Sequence, residues 1–351
     1  MSARLRTAVI GFGRVGSGYA EDQAMARYYK YATHAQVLAD HPLYEWLAVI
    51  DPAAAARQDA STNWKVRHTA ARLSDIGALA NDIEVAIVAT PPETRLDFLD
   101  QLPALRAVLV EKPLGRTLAD GDAFARYCRE RGILVQVNLW RRADQTLRHL
   151  ADGELRTLIG AAVCGFGVYG NGLLNNGLHM VDLVRMLLGE VTSVMALSPD
   201  QILAGSPIAD DINVSFALEL VGGTVLTLSP LPFTNYRENG LDLWGAEGRL
   251  SIYNEGLTIS YFQRRDNRAM TGEREVAADK PAYLESTVGT AFYHMYSNLA
   301  AAIAGEAQLW SPAESALRSS AVVEAIRQSM AERRSVKIDQ ESFSLEALPV
   351  R

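Results

Sequence analysis

The chain has little cysteine, a shortage of positive charge and no long apolar run, and each lack excludes something. Cys128 and Cys164 are the only cysteines in 351 residues. They cannot make a disulfide framework, and no C-x-x-C pair offers zinc or redox chemistry. The 41 Asp and Glu outnumber the 34 Lys and Arg, for a formal net charge of −7. A nucleic-acid surface needs clustered cations to neutralise phosphates, so the balance argues against that partner. No apolar stretch approaches the roughly 18 residues of a membrane span. The opening segment carries Arg4 and Arg6 but reaches glycine before any signal-like apolar core forms. There is no G-K dipeptide and no G-x-S-x-G, which sets aside a P-loop and a nucleophile elbow. The expectation is a soluble, cytoplasmic protein with neither a membrane nor a nucleic-acid partner.

What is present is a globular composition, 48% hydrophobic and 21% charged, in a length comfortable for two domains. The first third alternates apolar strand patterns with helical ones. Strands are predicted at Thr7–Gly11, Trp46–Asp51, Glu84–Thr90, Ala107–Glu111 and Ile133–Asn138. Near-continuous apolar strands separated by helices indicate a parallel sheet covered on both faces. After Asn138 the pattern changes. A helix near Arg142–Leu150, a long run over Thr157–Tyr169 and a helix over Gly177–Leu188 precede strands at Val194–Leu197, Ile212–Leu220, Thr224–Ser229, Leu241–Trp244 and Arg249–Tyr253. Gly222-Gly223 reads as a hairpin turn. Successive strands without intervening helices predict a mostly antiparallel sheet. Helices near Glu285–Ile303 and Pro312–Arg333 close the chain, the second with Ser311 as its predicted N-cap. The expected fold class is therefore α/β: a doubly wound dinucleotide-binding domain over 1–139, then an α+β domain over 140–351. The late helix, about 312–333, is allowed to pack back on the first domain.

Gly11-Phe12-Gly13-Arg14-Val15-Gly16 is G-x-G-x-x-G directly after the first predicted strand. The first glycine permits the tight turn, the second admits a pyrophosphate to the backbone, and the third permits close packing of the helix. Asp51, at the end of the second strand, fits the acid that bonds the adenine ribose, or a helix N-cap; one residue can do both. Pro52–Ala56 holds no cation for a 2′-phosphate, which favours NAD over NADP. Gly11 and Asp51 are 40 positions apart, where about 20 is usual. The excess falls in the tyrosine-rich Ser17–His34, either a cover over the cofactor mouth or an oligomer contact. Glu111-Lys112-Pro113 ends the fourth predicted strand, at the edge where doubly wound sheets bind ligands. A lysine there can polarise a hydroxyl or carbonyl oxygen and pass a proton. It is equally an ordinary surface lysine before a turn. Asn175, His179 and Asp182 fall on one helix face, as a proton-transfer group or as a structural histidine, a capping Asn and a surface Asp. The ligand spacing that a metal would need is missing.

Together these residues resemble the glucose–fructose oxidoreductase/inositol dehydrogenase/MocA family. The resemblance runs over nearly the whole chain: the glycine loop, Asp51, Ala89-Thr90-Pro91-Pro92, Glu111-Lys112-Pro113, Gly172–Asp182 before Leu187-Leu188-Gly189, and Ser320–Ser329. It implies a Rossmann domain followed by an α/β domain whose large open sheet commonly mediates homo-dimers or homo-tetramers. It implies hydride transfer between NAD and a hydroxyl-bearing carbon of a sugar, cyclitol or nucleotide-linked sugar. Lys112 then matches the lysine that contacts the reacting oxygen, and His179 the acid/base histidine. Thr90, Pro91, Pro92, Glu111 and Asn138 match positions that line the nicotinamide or its ribose. Trp140, Arg141 and Arg142 match a substrate-facing segment, and Asn175, Asn176 and Tyr236 join them as substrate candidates. The family often carries aspartate where this chain has Asn175, so hydrogen bonding replaces charge beside His179. Two other functions share the motifs: a glycosidase or lyase that recycles tightly bound NAD, and a non-catalytic NAD sensor.

Overall fold

The computed structural model describes residues 4–199, 201–202, 208, 210–276 and 279–339. The chain forms two compact units, Met1–Asp144 with Val288–Leu317, and Gln145–Thr287 with Arg318–Arg351. The sequence-based boundary at 139/140 differs from this division in two ways. Residues 140–144 stay with the first unit, and so does the helix Ala291–Ile303, whose Phe292, Met295, Tyr296 and Leu299 lie in the first unit's core. The late helix is Ala313–Glu332, of which only residues 313–317 fall in the first unit. Residues 340–351 of the expected second domain lie outside the described residues.

The first unit is built on strands β1 (Leu5–Ile10), β2 (Tyr44–Ile50), β3 (His68–Ala70), β4 (Val85–Val88), β5 (Ala107–Val110) and β6 (Leu134–Val137). All pairs are parallel, in the order β3-β2-β1-β4-β5-β6. That is the doubly wound order of a dinucleotide-binding sheet, with its switch point between β1 and β4. Both faces are covered, so β4 and β5 (Val-Ala-Ile-Val and Ala-Val-Leu-Val) are buried at every residue. The short edge strand β3 was missed in sequence because only three residues, two of them His and Thr, form it.

Ser17–His34 is an insertion. Its chain makes two 3₁₀ turns, Gly18–Glu21 and Met25–Arg27, before the helix His34–Asp40. The His34 and Ala35 amides then bond the Val15 and Gly16 carbonyls at 3.0 and 2.9 Å. Residues 19 and 20 would make those bonds in an uninterrupted helix. The segment thus loops out of the first helix and returns to the same hydrogen-bond register, which accounts for the long Gly11–Asp51 spacing. It leans on the helix Ala291–Ile303: the Tyr31 and Tyr293 rings lie 5.0 Å apart, and Tyr31 N–H bonds Gly289 O at 3.1 Å.

The second unit holds β7 (Ala162–Gly170), β8 (Val191–Ala196), β9 (Gln201–Ile202), β10 (Ile212–Asn213), β11 (Phe216–Leu220), β12 (Val225–Leu231), β13 (Gly240–Gly245), β14 (Gly248–Tyr253), β15 (Thr258–Asp266), β16 (Arg274–Val276), β17 (Ala282–Leu284) and β18 (Val336–Lys337). Among the described residues ten of these make one sheet in the order β16-β15-β14-β13-β7-β12-β11-β8-β18, with β17 beside β15. Every pair is antiparallel except β7–β12, as expected of a mixed, mostly antiparallel sheet. Residues alternate between its faces. Leu226, Leu228, Leu241, Leu243, Leu250 and Ile252 point into the core, with Val181, Val184, Val322 and Ile326 from two helices. On the opposite face the neighbours Val225, Cys164 and Trp244 are exposed.

Two sequence expectations differ from the structure, and one unassigned run is resolved. The run Thr157–Tyr169, left unassigned by its pattern, divides in two: Leu155–Ile159 is helical and stops at Gly160, whose φ of +75° breaks it before β7. The helix expected from Glu285 begins at Ala291, and β17 occupies Ala282–Leu284. Ser311 does not cap the late helix through its side chain; its buried hydroxyl makes no hydrogen bond, and the Pro312 carbonyl accepts the first helical bond, from Ala316 N–H. The Gly222-Gly223 hairpin between β11 and β12 is as expected.

Candidate functional site

All six strands of the first sheet end at one carboxyl edge, and the turns after β1, β2, β4, β5 and β6 carry the first unit's sequence candidates. After β1, Gly11 adopts φ +90°, and a Cβ there would meet the Ala89 carbonyl oxygen at 2.7 Å. Glycine is therefore required by conformation and by close approach to the turn after β4. A Cβ on Gly16 would meet Phe12 Cα at 2.8 Å, whereas one on Gly13 would meet nothing within 4 Å. The loop is packed on its protein side and open at Gly13. Phe12 is buried against Trp46, Val15 packs on the core, and Arg14 is exposed.

After β2, Asp51 is buried. Its carboxylate accepts from Phe12 N–H at 2.6 Å and from Ala53 N–H at 2.8 Å. It thus ties the glycine loop to the second turn; the helix Ala54–Thr62 that follows has Ala53 at its N-cap and no side-chain cap, so Asp51 is not the N-cap that the sequence allowed. Each carboxylate oxygen retains further acceptor capacity. Arg57 turns inward and donates to the Asp51 and Pro52 carbonyls, each at 2.8 Å.

After β4 and β5 come Thr90-Pro91-Pro92 and Glu111-Lys112-Pro113. They are joined by Arg95, which sequence reasoning did not single out. Its buried guanidinium donates to Thr90 O at 3.3 and 3.1 Å, to Pro113 O at 2.6 Å and to Leu114 O at 3.0 Å. Burial pulls the arginine down to about 10, against the opposing charges of Glu111 and Glu93. Glu111 accepts from Asn138 Nδ2, which follows β6, at 2.5 Å, and lies 3.1 Å from His34 Nε2. Burial pushes its carboxyl up, but the His34 and Asn138 hydrogen bonds and the Lys112 charge outweigh burial and hold it below the ordinary value. Two buried acceptors on this edge, Thr90 Oγ1 and Asn138 Oδ1, have no hydrogen-bond partner. Buried polar atoms are ordinarily satisfied, so these two are available to a ligand.

The second unit carries the remaining candidates. Leu173–Gly177 is a π-turn that runs into the helix Leu178–Leu188. His179 is buried in the first turn of that helix, and Asn175 is half-buried. Asn175 Nδ2 donates to Asn171 O at 3.1 Å, and Asn176 Nδ2 to Gly170 O at 2.9 Å. Asp211, absent from the sequence candidates, organises this turn. Its carboxylate accepts from the amides of Leu174, Asn175 and Ile212 at 2.9, 3.1 and 2.9 Å. Gly172, at φ +103°, gives it room, since a Cβ there would lie 1.9 Å from Asp211 Oδ2. Burial raises the Asp211 carboxyl despite those three bonds. An acid pair before a short strand was the one available sequence signal. Asp182 is not a surface residue: it is buried, 2.8 Å from the Ser319 hydroxyl and 3.6 Å from Arg185, in a network reaching Glu190. Of the proposed substrate contacts, Arg141 is buried with its guanidinium 4.4 Å from the Trp140 ring centroid, whereas Tyr236 is exposed between β12 and β13.

Known families and structures agree with this architecture. A family model described as "Oxidoreductase family, NAD-binding Rossmann fold" matches residues 5–139, and one described as "Oxidoreductase family, C-terminal alpha/beta domain" matches residues 169–338. The chain belongs to the Gfo/Idh/MocA oxidoreductase family. It is 26% identical over 238 residues to the rhizopine catabolism protein MocA of Rhizobium meliloti, covering 63% of this chain and 69% of that protein. It is 28% identical over 192 residues to dTDP-3,4-didehydro-2,6-dideoxy-alpha-D-glucose 3-reductase of Saccharopolyspora spinosa, covering 49% and 56%. An NAD binding oxidoreductase from Klebsiella pneumoniae superposes with a TM-score of 0.74 over 96% of this chain and 100% of that one; at 18% identity this speaks to the fold. The open Gly13, the Asp51 carboxylate and the two unpartnered acceptors are features an NAD molecule fits. Among the described residues no helix is long and apolar enough to cross a membrane.

Proposed function

We propose that this protein moves hydride between NAD and a hydroxyl-bearing carbon of a sugar, cyclitol or nucleotide-linked sugar, with Lys112 and His179 handling the hydroxyl proton. The observation that carries the reading is the carboxyl edge of the first sheet. Successive strands there present an open glycine loop, the buried Asp51 carboxylate, two unsatisfied buried acceptors and a lysine. Bound nicotinamide supplies a two-electron hydride acceptor or donor.

The chain's own residues do the rest. Backbone N–H groups of Gly11–Gly16 take the pyrophosphate, and Asp51 takes the adenine ribose hydroxyls. A 2′-phosphate would meet that carboxylate, with the nearby Arg57 turned onto backbone carbonyls, which supports NAD rather than NADP. Pro91 and Pro92 shape the turn from which Thr90 faces the nicotinamide, with Glu111 and Asn138 beside its ribose. In the oxidative direction neutral Lys112 takes the hydroxyl proton as hydride leaves the same carbon. In reduction it returns that proton to the new alkoxide. His179 is the second residue assigned to the hydroxyl proton, since an imidazole can both donate and accept one. Asn175 orients rather than charges its surroundings, because its amide is a donor to Asn171 O. Trp140, Arg141, Asn175, Asn176 and Tyr236 are the proposed substrate contacts.

The exposed Val225–Cys164–Trp244 row supports a homo-oligomer through the open sheet face, and two free cysteines suit a reducing cytoplasm. Incubation with NAD and a panel of inositols, hexoses and nucleotide sugars, read as NADH absorbance, tests the activity. NADH formed with one class supports the reading. Tight NAD binding without net NADH on the panel would refute it in favour of an internally recycled cofactor or a sensor.

A further inference from the structure

The inserted segment delivers one residue that the mechanism above leaves unused. His34 is fully buried as the first residue of its helix. Thr33 fixes it there: its hydroxyl accepts from Gln36 N–H at 3.3 Å, while Gln36 Oε1 accepts from the Thr33 and Ala32 amides at 3.1 and 2.8 Å. Each imidazole nitrogen has a partner. Nδ1 lies 2.7 Å from the Tyr296 hydroxyl, and Nε2 lies 3.1 Å from Glu111 Oε1. An ionised carboxylate only accepts, so Nε2 carries the proton. In the neutral ring Nδ1 is then the acceptor and the Tyr296 hydroxyl its donor. One tautomer satisfies all three groups.

We propose that His34, backed by Tyr296, is a positioning residue for the reaction at Lys112: it keeps the adjacent Glu111 carboxylate ionised and fixed in orientation. The inference rests on the reading of Lys112 as the proton carrier. Its physical basis is the competition at Glu111, where burial favours the neutral acid and donated hydrogen bonds favour the anion. Without the His34 donor, burial gains the advantage, and a protonated Glu111 loses its fixed orientation beside Lys112, so turnover falls as this carboxyl, rather than the lysine, takes up its proton. The groups facing the pair are few. Tyr296 also accepts, at its carbonyl, a 2.8 Å bond from the Tyr44 hydroxyl, and the His41 ring lies 6.4 Å from its own. Asn138 shares Oε1, the charges of Lys112 and Arg95 act on Glu111, and Phe292 covers the imidazole at 4.9 Å without titrating.

Two readouts test this. The first needs no substrate: ¹⁵N NMR of the imidazoles of the whole protein, with His34 assigned through His34→Gln. His34 is expected as the Nε2–H tautomer, with Tyr296→Phe weakening that preference. An Nδ1–H tautomer in the wild type would overturn the proposal. The second is the acid limb of turnover with NAD and the best substrate of the panel. Losing a hydrogen bond to a buried charge moves an acid by about 1–2 pH units, so His34→Leu raises the limb by about that much. His34→Gln, which can donate to Glu111 and accept from Tyr296, returns the limb toward the wild type. Tyr296→Phe shifts it the same way as leucine but less, and carries the test if His34→Leu does not fold. A purely structural role would lower turnover at every pH and leave the limb in place, which contradicts the proposal. Lys112→Met separates the two levels. Full turnover in that variant removes the reading beneath the proposal; loss of turnover with an unmoved limb in the His34 variants removes the proposal alone.

Discussion

Gly13→Ala separates cofactor binding from folding more cleanly than any other change in the glycine loop. A Cβ at Gly13 would touch no atom within 4 Å, and its φ lies outside the left-handed region. The folded protein therefore accepts alanine at a cost within about 0.5 kcal/mol, as at an ordinary surface site. The methyl group nonetheless stands where a pyrophosphate has to approach the backbone. Displacing the anion from one charge-assisted hydrogen bond is worth about 1.5–3 kcal/mol, or roughly a 10- to 100-fold loss of affinity. Gly11→Ala and Gly16→Ala behave differently, because their methyl groups collide with Ala89 O and Phe12 Cα at 2.7 and 2.8 Å. Those two lose stability as well as binding. NADH fluorescence titration and urea unfolding of the three variants supply the comparison. If Gly13→Ala binds NADH as tightly as the wild type, the loop is not where the pyrophosphate sits.

Other predictions use groups away from the glycine loop. His41 is buried, with Nε2 3.0 Å from the Ser297 hydroxyl and Nδ1 accepting from Leu43 N–H at 3.3 Å. Burial, and then the neighbouring His294, lower it to about 4. Its neutral form is thus favoured by folding: stability is present above its ordinary value of about 6.5 and lost as pH falls from there toward 4, by up to about 1.4 kcal/mol per pH unit. Urea midpoints at several pH values should show that decline in the wild type and a shallower one in His41→Gln. Arg95→Met leaves three buried carbonyls without their donor and is expected to lower stability by about 3–5 kcal/mol; Arg95→Lys restores only part, since one ammonium cannot reproduce a planar fork. Gly172→Ala, at φ +103° and pressed on Asp211, is expected to lose at least about 1–3 kcal/mol from backbone strain alone, read by thermal unfolding.

The parallel sheet was legible because its strands are apolar throughout and each ends in a distinctive residue: Gly11, Asp51, Thr90, Glu111 or Asn138. The mixed second sheet was legible through the spacing of its strands and the Gly222-Gly223 turn. Strand β15 was not, because Thr-Ile-Ser-Tyr-Phe-Gln-Arg-Arg-Asp ends in charges and carries no turn signal of its own. The insertion's length could be read, but its return to Val15 and Gly16 depends on hydrogen bonds that leave no local pattern. The same holds for the residues found only in the structure. His34 meets partners 77 and 262 positions away, Arg95 acts wholly on backbone carbonyls, and Asp211 serves a turn 36 residues earlier. Spacing within one helix or loop reveals none of these. Asp182 shows the converse: helical spacing alone allowed a surface aspartate, but it is buried beside Ser319 and Arg185.

The most direct measurement of the central claim is single-turnover hydride transfer in Lys112→Met, beside its NADH affinity. Removal of a positioned acid–base group lowers the rate by at least about 10²-fold. The expected result is that loss with NADH binding within a few-fold of the wild type, because the glycine loop and Asp51 remain intact. A rate within threefold of the wild type would contradict the assignment of the proton to Lys112.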